Sequence, residues 1–297
     1  MGARELVTLL SGGHYFESPR WRDGRWWVSD FYRHTVFTVE PDGRVEDVLE
    51  LEDVAQPSGL GWLPDGSLLV VSMLDRRLLR RAPDGSVSEY ADVSEHCGGH
   101  LNDMVVAEDG TVYAGNFGFD LMGGADAEHA NVVRVAPDGS VSVAAEELIF
   151  PNGSVIDAST LLVNETLGGR ITAFDIERGG ALTNRRVWAQ LQETPALGPL
   201  AEMLPGSTFA PDGLTLDAEG HVWAANALGG PVARISPGGE VVDTIELPEG
   251  LAVFACMLGG PEGNTLLMCA APDFAEENRK AAREALLLTT TVEVPGA

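Results

Sequence analysis

The sequence predicts an all-β fold: a six-bladed β-propeller of four-stranded antiparallel blades, with the N-terminal strand closing the last blade. Three observations carry this expectation: a strand-turn-strand repeat, the spacing of its copies, and the turn chemistry between them. Each copy runs from an apolar segment through an Asp-Gly or Glu-Gly type turn into a β-rich run ending in small or polar residues.

The six second strands read Trp26-Trp27-Val28-Ser29, Leu69-Val70-Val71-Ser72, Val112-Tyr113-Ala114-Gly115, Leu161-Leu162-Val163-Asn164, Val222-Trp223-Ala224-Ala225 and Leu266-Leu267-Met268-Cys269. Their centres, Val28, Val71, Ala114, Val163, Ala224 and Met268, lie 43, 43, 49, 61 and 44 residues apart. A period of this size filled with short strands is a propeller blade, since a helical solenoid would show helical periodicity. Third strands follow at Val36–Val39, Leu78–Arg80 and Val132–Val135, and Pro-Asp-Gly then turns each into a fourth. Proline fixes φ and glycine accepts positive φ, so these triplets are turns without chemistry. The last copy ends on a third strand within 285–294, while the chain opens on a lone strand at 5–10. Pairing the two ends in one blade removes the exposed edges.

The 35 glycines and 17 prolines are spread along the chain and mark no linker, so residues 1–297 read as one propeller domain. A net charge of −26 argues against nucleic acid or an anionic membrane as partner, and solvation of the surface accounts for it. The segment Met1 to Leu10 has too short an apolar run for a signal-peptide core, and no later segment approaches membrane-spanning length, which predicts a soluble, cytoplasmic protein. Cys97, Cys256 and Cys269 include no CxxC and are expected as buried small hydrophobes, with one cross-strand contact, Cys256 with Cys269, left open. Oligomeric state is not legible.

In a propeller the first strand of every blade lines the channel, so equivalent residues form one ring at one mouth. Eight residues before the turn glycines Gly66, Gly110 and Gly220 stand Ser58, Asn102 and Asp212, and seven before Gly24 stands Glu17. Asn152 and the region of Phe254 take the matching places in the fourth and sixth blades. Polar oxygens crowded in a narrow channel need a partner, either a cation or a water-filled channel. Glu17, Asn152 and Asp212 include no His or Cys, which suits a hard ion such as Ca²⁺ or Mg²⁺ better than Zn²⁺.

The stretches Phe16-Glu17-Ser18-Pro19-Arg20-Trp21, Leu101-Asn102-Asp103, Phe150-Pro151-Asn152-Gly153 and Pro211-Asp212-Gly213-Leu214 resemble, in order and by blade, the senescence marker protein, gluconolactonase and luciferin-regenerating enzyme family, which includes regucalcin. The likeness extends over Asn164-Glu165-Thr166 and Leu258-Gly259-Gly260-Pro261 and so covers nearly the whole chain. The resemblance implies one divalent metal ion held by Glu17, Asn152 and Asp212, with Ca²⁺ the first expectation and Mg²⁺, Mn²⁺ or Zn²⁺ as other occupants. Asn102 would lie beside it as a substrate-binding or weaker ligand residue. It further implies a lactone hydrolase acting on a small molecule, with Asp212 steering the proton of the attacking water and Asn102 orienting the substrate. Asp103 is expected to point away from the channel, since neighbours on a strand alternate faces.

The chain departs from the sugar-lactonase pattern at His100, where those members carry arginine. His100 is a candidate substrate contact or proton carrier, or a packed side chain. Long connections at 117–130, 190–210 and 271–284 are expected to roof the mouth, with Phe117, Phe119, Leu121, Met122, Leu197, Leu200, Met203 and Leu204 making that roof apolar and Phe117 and Phe119 touching substrate. Such a roof favours a substrate more hydrophobic than gluconolactone, with packing on the rim as the other reading of these residues. GxSxG, HExxH, Walker and dinucleotide motifs are absent. Two alternatives stay open: other ring-opening or ring-forming chemistry on a natural product, and a non-catalytic calcium-binding or interaction propeller.

Overall fold

The computed structural model describes residues 4–52 and 55–297, so the first three residues of the Met1 to Leu10 segment lie outside the described residues. The chain enters on β1 (Val7–Gly13). Blade I comprises β2 (Phe16–Arg22), β3 (Arg25–Asp30), β4 (Thr35–Val39) and β5 (Val45–Glu50), and blade II β6 (Pro57–Trp62), β7 (Leu68–Ser72), β8 (Arg77–Arg81) and β9 (Val87–Asp92). Blade III holds β10 (Leu101–Val106), β11 (Val112–Asn116), β12 (Ala130–Val135) and β13 (Val141–Leu148). Blade IV follows with β14 (Pro151–Asp157), β15 (Thr160–Glu165), β16 (Arg170–Ile176) and β17 (Leu182–Gln190). Blade V is built from β18 (Pro211–Leu216), β19 (Val222–Asn226), β20 (Val232–Ile235) and β21 (Val241–Ile245). Blade VI takes β22 (Ala252–Gly259), β23 (Thr265–Ala271) and β24 (Ala285–Thr291), with β1 as its outer strand.

Each sheet is antiparallel in simple meander order, so the six-bladed propeller read from the repeat is the observed fold. Each second strand named above falls inside its observed counterpart. Closure runs through β1 and β24, which pair from Val7 with Thr289 to Gly13 with Ala285. Arg4 adds an ion pair to Asp243 of blade V. Two short α-helices are present among the described residues, α1 (Leu200–Met203) and α2 (Glu276–Ala281), and neither is long and apolar enough to cross a membrane.

Hydrophobic burial explains why the blades stand radially. The second strands β7, β11 and β19 are wholly buried, whereas the outer strands β5 and β9 are largely exposed. Adjacent blades pack face to face: Trp223 of blade V with Cys256 and Met268 of blade VI, and Tyr113 of blade III with Leu161, Val163 and Phe174 of blade IV. The cysteines are free and buried; Cys256 pairs across the ladder with Met268 and Cys269 with Ala255, so the contact left open between the two is not made by register.

Candidate active site and metal centre

The inner strands β2, β6, β10, β14, β18 and β22 touch one another in that order and close back on β2. All six carry the same irregularity. Pairing skips one extra inner-strand residue between Glu17 and Arg20, Pro57 and Leu60, Leu101 and Met104, Pro151 and Ser154, Pro211 and Leu214, and Val253 and Ala255. A bulge re-aims side chains that a regular strand would send to opposite faces. Four of the ring residues read from the sequence sit at it: Glu17, Asn102, Asn152 and Asp212, each with 6–7% of its surface exposed, line one cavity.

The residue after each ring position is small in five blades: Ser18, Gly59, Gly153, Gly213 and Ala255. The reason is steric. A Cβ on Gly153 would stand 2.7 Å from the Asp212 carbonyl oxygen, and one on Gly213 would stand 2.6 Å from the Ala255 Cα. Blade III carries Asp103 instead. The expectation that Asp103 points away is overturned: its carboxylate reaches blade I, accepting from Arg20 Nη2 at 2.7 Å, from Ser18 Oγ at 3.3 Å and from the Met104 N–H at 2.8 Å. The bulge suspends strand alternation at this point, which the sequence pattern does not display.

The two ring carboxylates have fewer partners, the Ser18 N–H at 2.8 Å for Glu17 and the Asn152 amide for Asp212. Burial lifts the Glu17 carboxyl to about 8, with the Asp103 charge adding to the lift, while the Ser18 N–H and Arg20 oppose it. Burial, then the Glu17 and Asp103 charges, pushes Asp212 well above the carboxylate range, against a hydrogen bond from Asn152. Among the described residues no Lys, Arg or His lines the cavity they face.

The Asn164-Glu165-Thr166 stretch builds the support for this ring. Asn164 Nδ2 donates to the Asp212 carbonyl at 2.6 Å; Thr166 Oγ1 donates to the Pro211 carbonyl at 2.8 Å and accepts from Asn152 Nδ2 at 3.1 Å. Glu165 accepts from Ile149 N at 2.8 Å, and the N–H of Thr166, the residue after β15, caps the Phe150 carbonyl at 3.0 Å. Ser29 Oγ holds the Ser58 carbonyl in the same way at 2.7 Å. Two non-glycine residues beside the ring adopt left-handed backbone, Ser18 with φ 49° and Phe150 with φ 59°. Such conformations persist where the surroundings over-determine them.

The cavity, about 770 Å³ counted to its open mouth, has Glu17, Asn102, Asn152, Asp212 and Thr166 as its polar floor. All three long connections reach it. Phe117, Leu121 and Met122 come from the first, Leu200 and Leu204 from the second and Phe274 from the third. Phe119, Leu197 and Met203 pack behind the lining, Phe119 with its ring centroid 6.1 Å from Phe150. His100 is also outside the lining: its ring lies 5.6 Å from that of Phe117, its Nδ1 is buried without a partner, and burial lowers its pKa so that the imidazole is neutral at neutral pH. The region of Phe254, placed in the ring of the sixth blade, does line the cavity, whereas the sequence reading missed Tyr15, Phe31, Tyr32, Phe150 and Thr166 as lining residues. Thr166 and Phe150 adjoin motifs already singled out; the others are core-type residues with no local signal.

The residues present fit a hard cation. Two buried carboxylates share a cavity without a cationic side chain, and the neighbouring donors are amide oxygens, which is the chemistry of a Ca²⁺ or Mg²⁺ site with positions left for water or substrate. Among the described residues no three His, Cys, Asp or Glu side chains cluster as metal ligands, so the ring's donor set depends on asparagine. Asn102 Nδ2 is buried with no hydrogen-bond partner, leaving a donor free for a bound acceptor.

The sequence profile of the SMP-30/Gluconolactonase/LRE-like region matches residues 16–272. The chain is 28% identical over 263 residues to pentonolactonase XacC of Haloferax volcanii, covering 86% of this chain and 81% of that protein. It is 26% identical over 272 residues to regucalcin of Xenopus laevis, covering 89% and 85%. The crystal structure of the calcium-binding protein regucalcin from Agrobacterium tumefaciens superposes with a TM-score of 0.79 at 21% identity, over 100% of this chain and 98% of that one, a likeness of fold.

Proposed function

The chain belongs to the SMP-30/gluconolactonase/LRE-like family, and from that premise we propose that it is a hydrolase that opens a lactone at the Glu17–Asn102–Asn152–Asp212 ring with the help of one divalent cation, Ca²⁺ first. The observation that carries the reading is the convergence of four buried oxygen-bearing side chains from blades I, III, IV and V on one cavity, two of them carboxylates without a cationic partner. Relatives named as a pentonolactonase and a 6-deoxy-6-sulfogluconolactonase support the reaction class, and relatives named regucalcin support the ion.

Glu17, Asn152 and Asp212 would hold the cation, which when bound supplies stabilisation for charge developing on the lactone carbonyl oxygen and lowers the pKa of a water. Asp212 accepts the proton of the water that attacks the carbonyl carbon and returns it to the ring oxygen as the ring C–O bond breaks, leaving the open hydroxy acid. Asn102 donates its free amide N–H to the substrate and fixes its orientation. Asn164 and Thr166 keep blade V's ring segment in place through its main-chain carbonyls. The apolar roof excludes bulk water and supports a substrate more hydrophobic than gluconolactone.

The test is a lactone panel run on chelated protein and again with Ca²⁺, Mg²⁺, Mn²⁺ and Zn²⁺ restored in turn. The expected result is turnover that needs an ion. Undiminished turnover by the chelated, metal-free protein would overturn the mechanism, and no turnover of any lactone would overturn the activity.

A further inference from the structure

The cavity is tiered. Above the oxygen-bearing floor stands an aromatic wall. On the side of blades III and IV, Phe117 and Phe150 stack with centroids 4.5 Å apart and planes 19° from parallel. On the side of blades VI and I, Tyr15 lies 4.9 Å from Phe254 and 5.0 Å from Phe31. At the mouth Met122, Leu228 and Phe274 line the same cavity while 38%, 37% and 41% exposed. An apolar lip continuous with an apolar wall is a surface that an apolar group covers favourably.

Charge gives the second constraint. The ionisable groups facing the cavity are the two floor carboxylates and the Tyr15 and Tyr32 hydroxyls, and the whole chain carries −26. An anion entering here meets no Arg or Lys among the described lining residues; the two floor carboxylates offset the charge of a bound divalent ion, and the field of the acidic chain opposes the anion's approach. A polyol fares little better, because hydroxyls set against phenyl faces lose their water without gaining partners. The Phe150 ring is kept on the wall in left-handed backbone, a conformation that bulky side chains adopt only under constraint.

We propose that this site selects an uncharged lactone bearing an apolar substituent of about four to eight carbons, or an aryl ring of similar size. The carbonyl lies over the floor, and the substituent runs along the Phe117–Phe150 wall to the Met122–Leu228–Phe274 lip. Anionic lactones of equal size are rejected. This rests on the lactone-opening reading above and adds the chemistry of what the lactone carries.

The experiment compares γ-butyrolactone, γ-hexalactone, γ-octalactone, glucono-δ-lactone and 5-oxotetrahydrofuran-2-carboxylate as substrates of the Ca²⁺-restored enzyme, each rate divided by its rate in buffer. The expected kcat/KM rises about fourfold per methylene, on the order of 10²-fold from γ-butyrolactone to γ-octalactone. The carboxylate-bearing lactone falls below γ-butyrolactone. Phe150→Gly, which suits the positive φ, flattens the chain-length series, and Met122→Arg raises the carboxylate lactone relative to γ-octalactone. A flat series in the wild type, or glucono-δ-lactone ahead of γ-octalactone, overturns the proposal while the lactonase reading stands. If no lactone is opened, that reading falls, and calorimetric titration with 5-butylpyrrolidin-2-one, the uncleaved lactam analogue, still decides this one. Binding tighter than that of pyrrolidin-2-one supports it, and equal or absent binding overturns it.

Discussion

Two buried acidic regions of this molecule differ in one respect that separates architecture from chemistry. Glu165 is wholly buried, yet it accepts from Arg170 Nε at 2.8 Å and Nη2 at 2.9 Å, from the Ile149 N–H at 2.8 Å and from the Thr172 hydroxyl, with Arg185 3.5 Å away. Glu17 and Asp212 are almost as buried, but they have one backbone donor and one amide between them and repel each other. A buried carboxylate surrounded by donors is complete and anchors the chain. Carboxylates left short of positive charge are the place where an added ion would pay off. Burial alone marks neither role.

The contrast is broken or sharpened by substitution. Asp212→Ala is expected to lower lactone kcat/KM by about 10³-fold or more and to abolish retention of Ca²⁺, measured by equilibrium dialysis, with an unchanged far-ultraviolet spectrum. Retained Ca²⁺ in this variant would place the ion elsewhere. Glu165→Ala should act on stability instead, costing about 3–5 kcal/mol because Arg170 is left without its carboxylate; calorimetry would show a Tm lower by about 10 °C. If Glu165→Ala costs nothing, the distinction between complete and incomplete carboxylates fails. Chelation of the wild type should cost less, about 2–3 kcal/mol relative to protein in Ca²⁺ at a hundred times its Kd. Thr166→Val removes the bonds to Pro211 and Asn152 and is expected to reduce kcat/KM by about tenfold with about 1 kcal/mol lost in urea unfolding. Ser18→Gly relieves the left-handed backbone beside Glu17 and should stabilise the fold slightly, by no more than about 1 kcal/mol in urea unfolding, with Ca²⁺ still bound.

Much of this was legible in the residues. The blade count followed from second strands such as Trp26–Ser29 and Val222–Ala225, because burial on both faces forces a continuous apolar run and the hairpin forces a glycine turn. Asn102 and Asp212 could be set side by side because each stands eight residues before its turn glycine, and Glu17 seven before its own, while Asn152 takes its place from its Pro151-Asn152-Gly153 context. What stayed hidden has physical reasons too. Bulge geometry depends on how six strands crowd an axis, so alternation misdirected Asp103. Tyr15 and Phe31 look like core residues, since nothing local distinguishes a ring facing a cavity from one facing another ring. His100 stood open as a substrate contact or a packed side chain by its place two residues before Asn102; it lies outside the cavity lining, packed against Phe117.

The repeated one-residue insertion on the inner strands has a consequence for how such a molecule can change. It creates six addressable positions around an axis, of which four hold Glu17, Asn102, Asn152 and Asp212, while Ser58 with its unbonded hydroxyl and the Phe254 segment occupy the remaining two. A single codon change at either vacant seat would alter the charge presented to the middle without touching the scaffold that presents it. New reactivity can therefore be sampled by descendants of this chain one seat at a time.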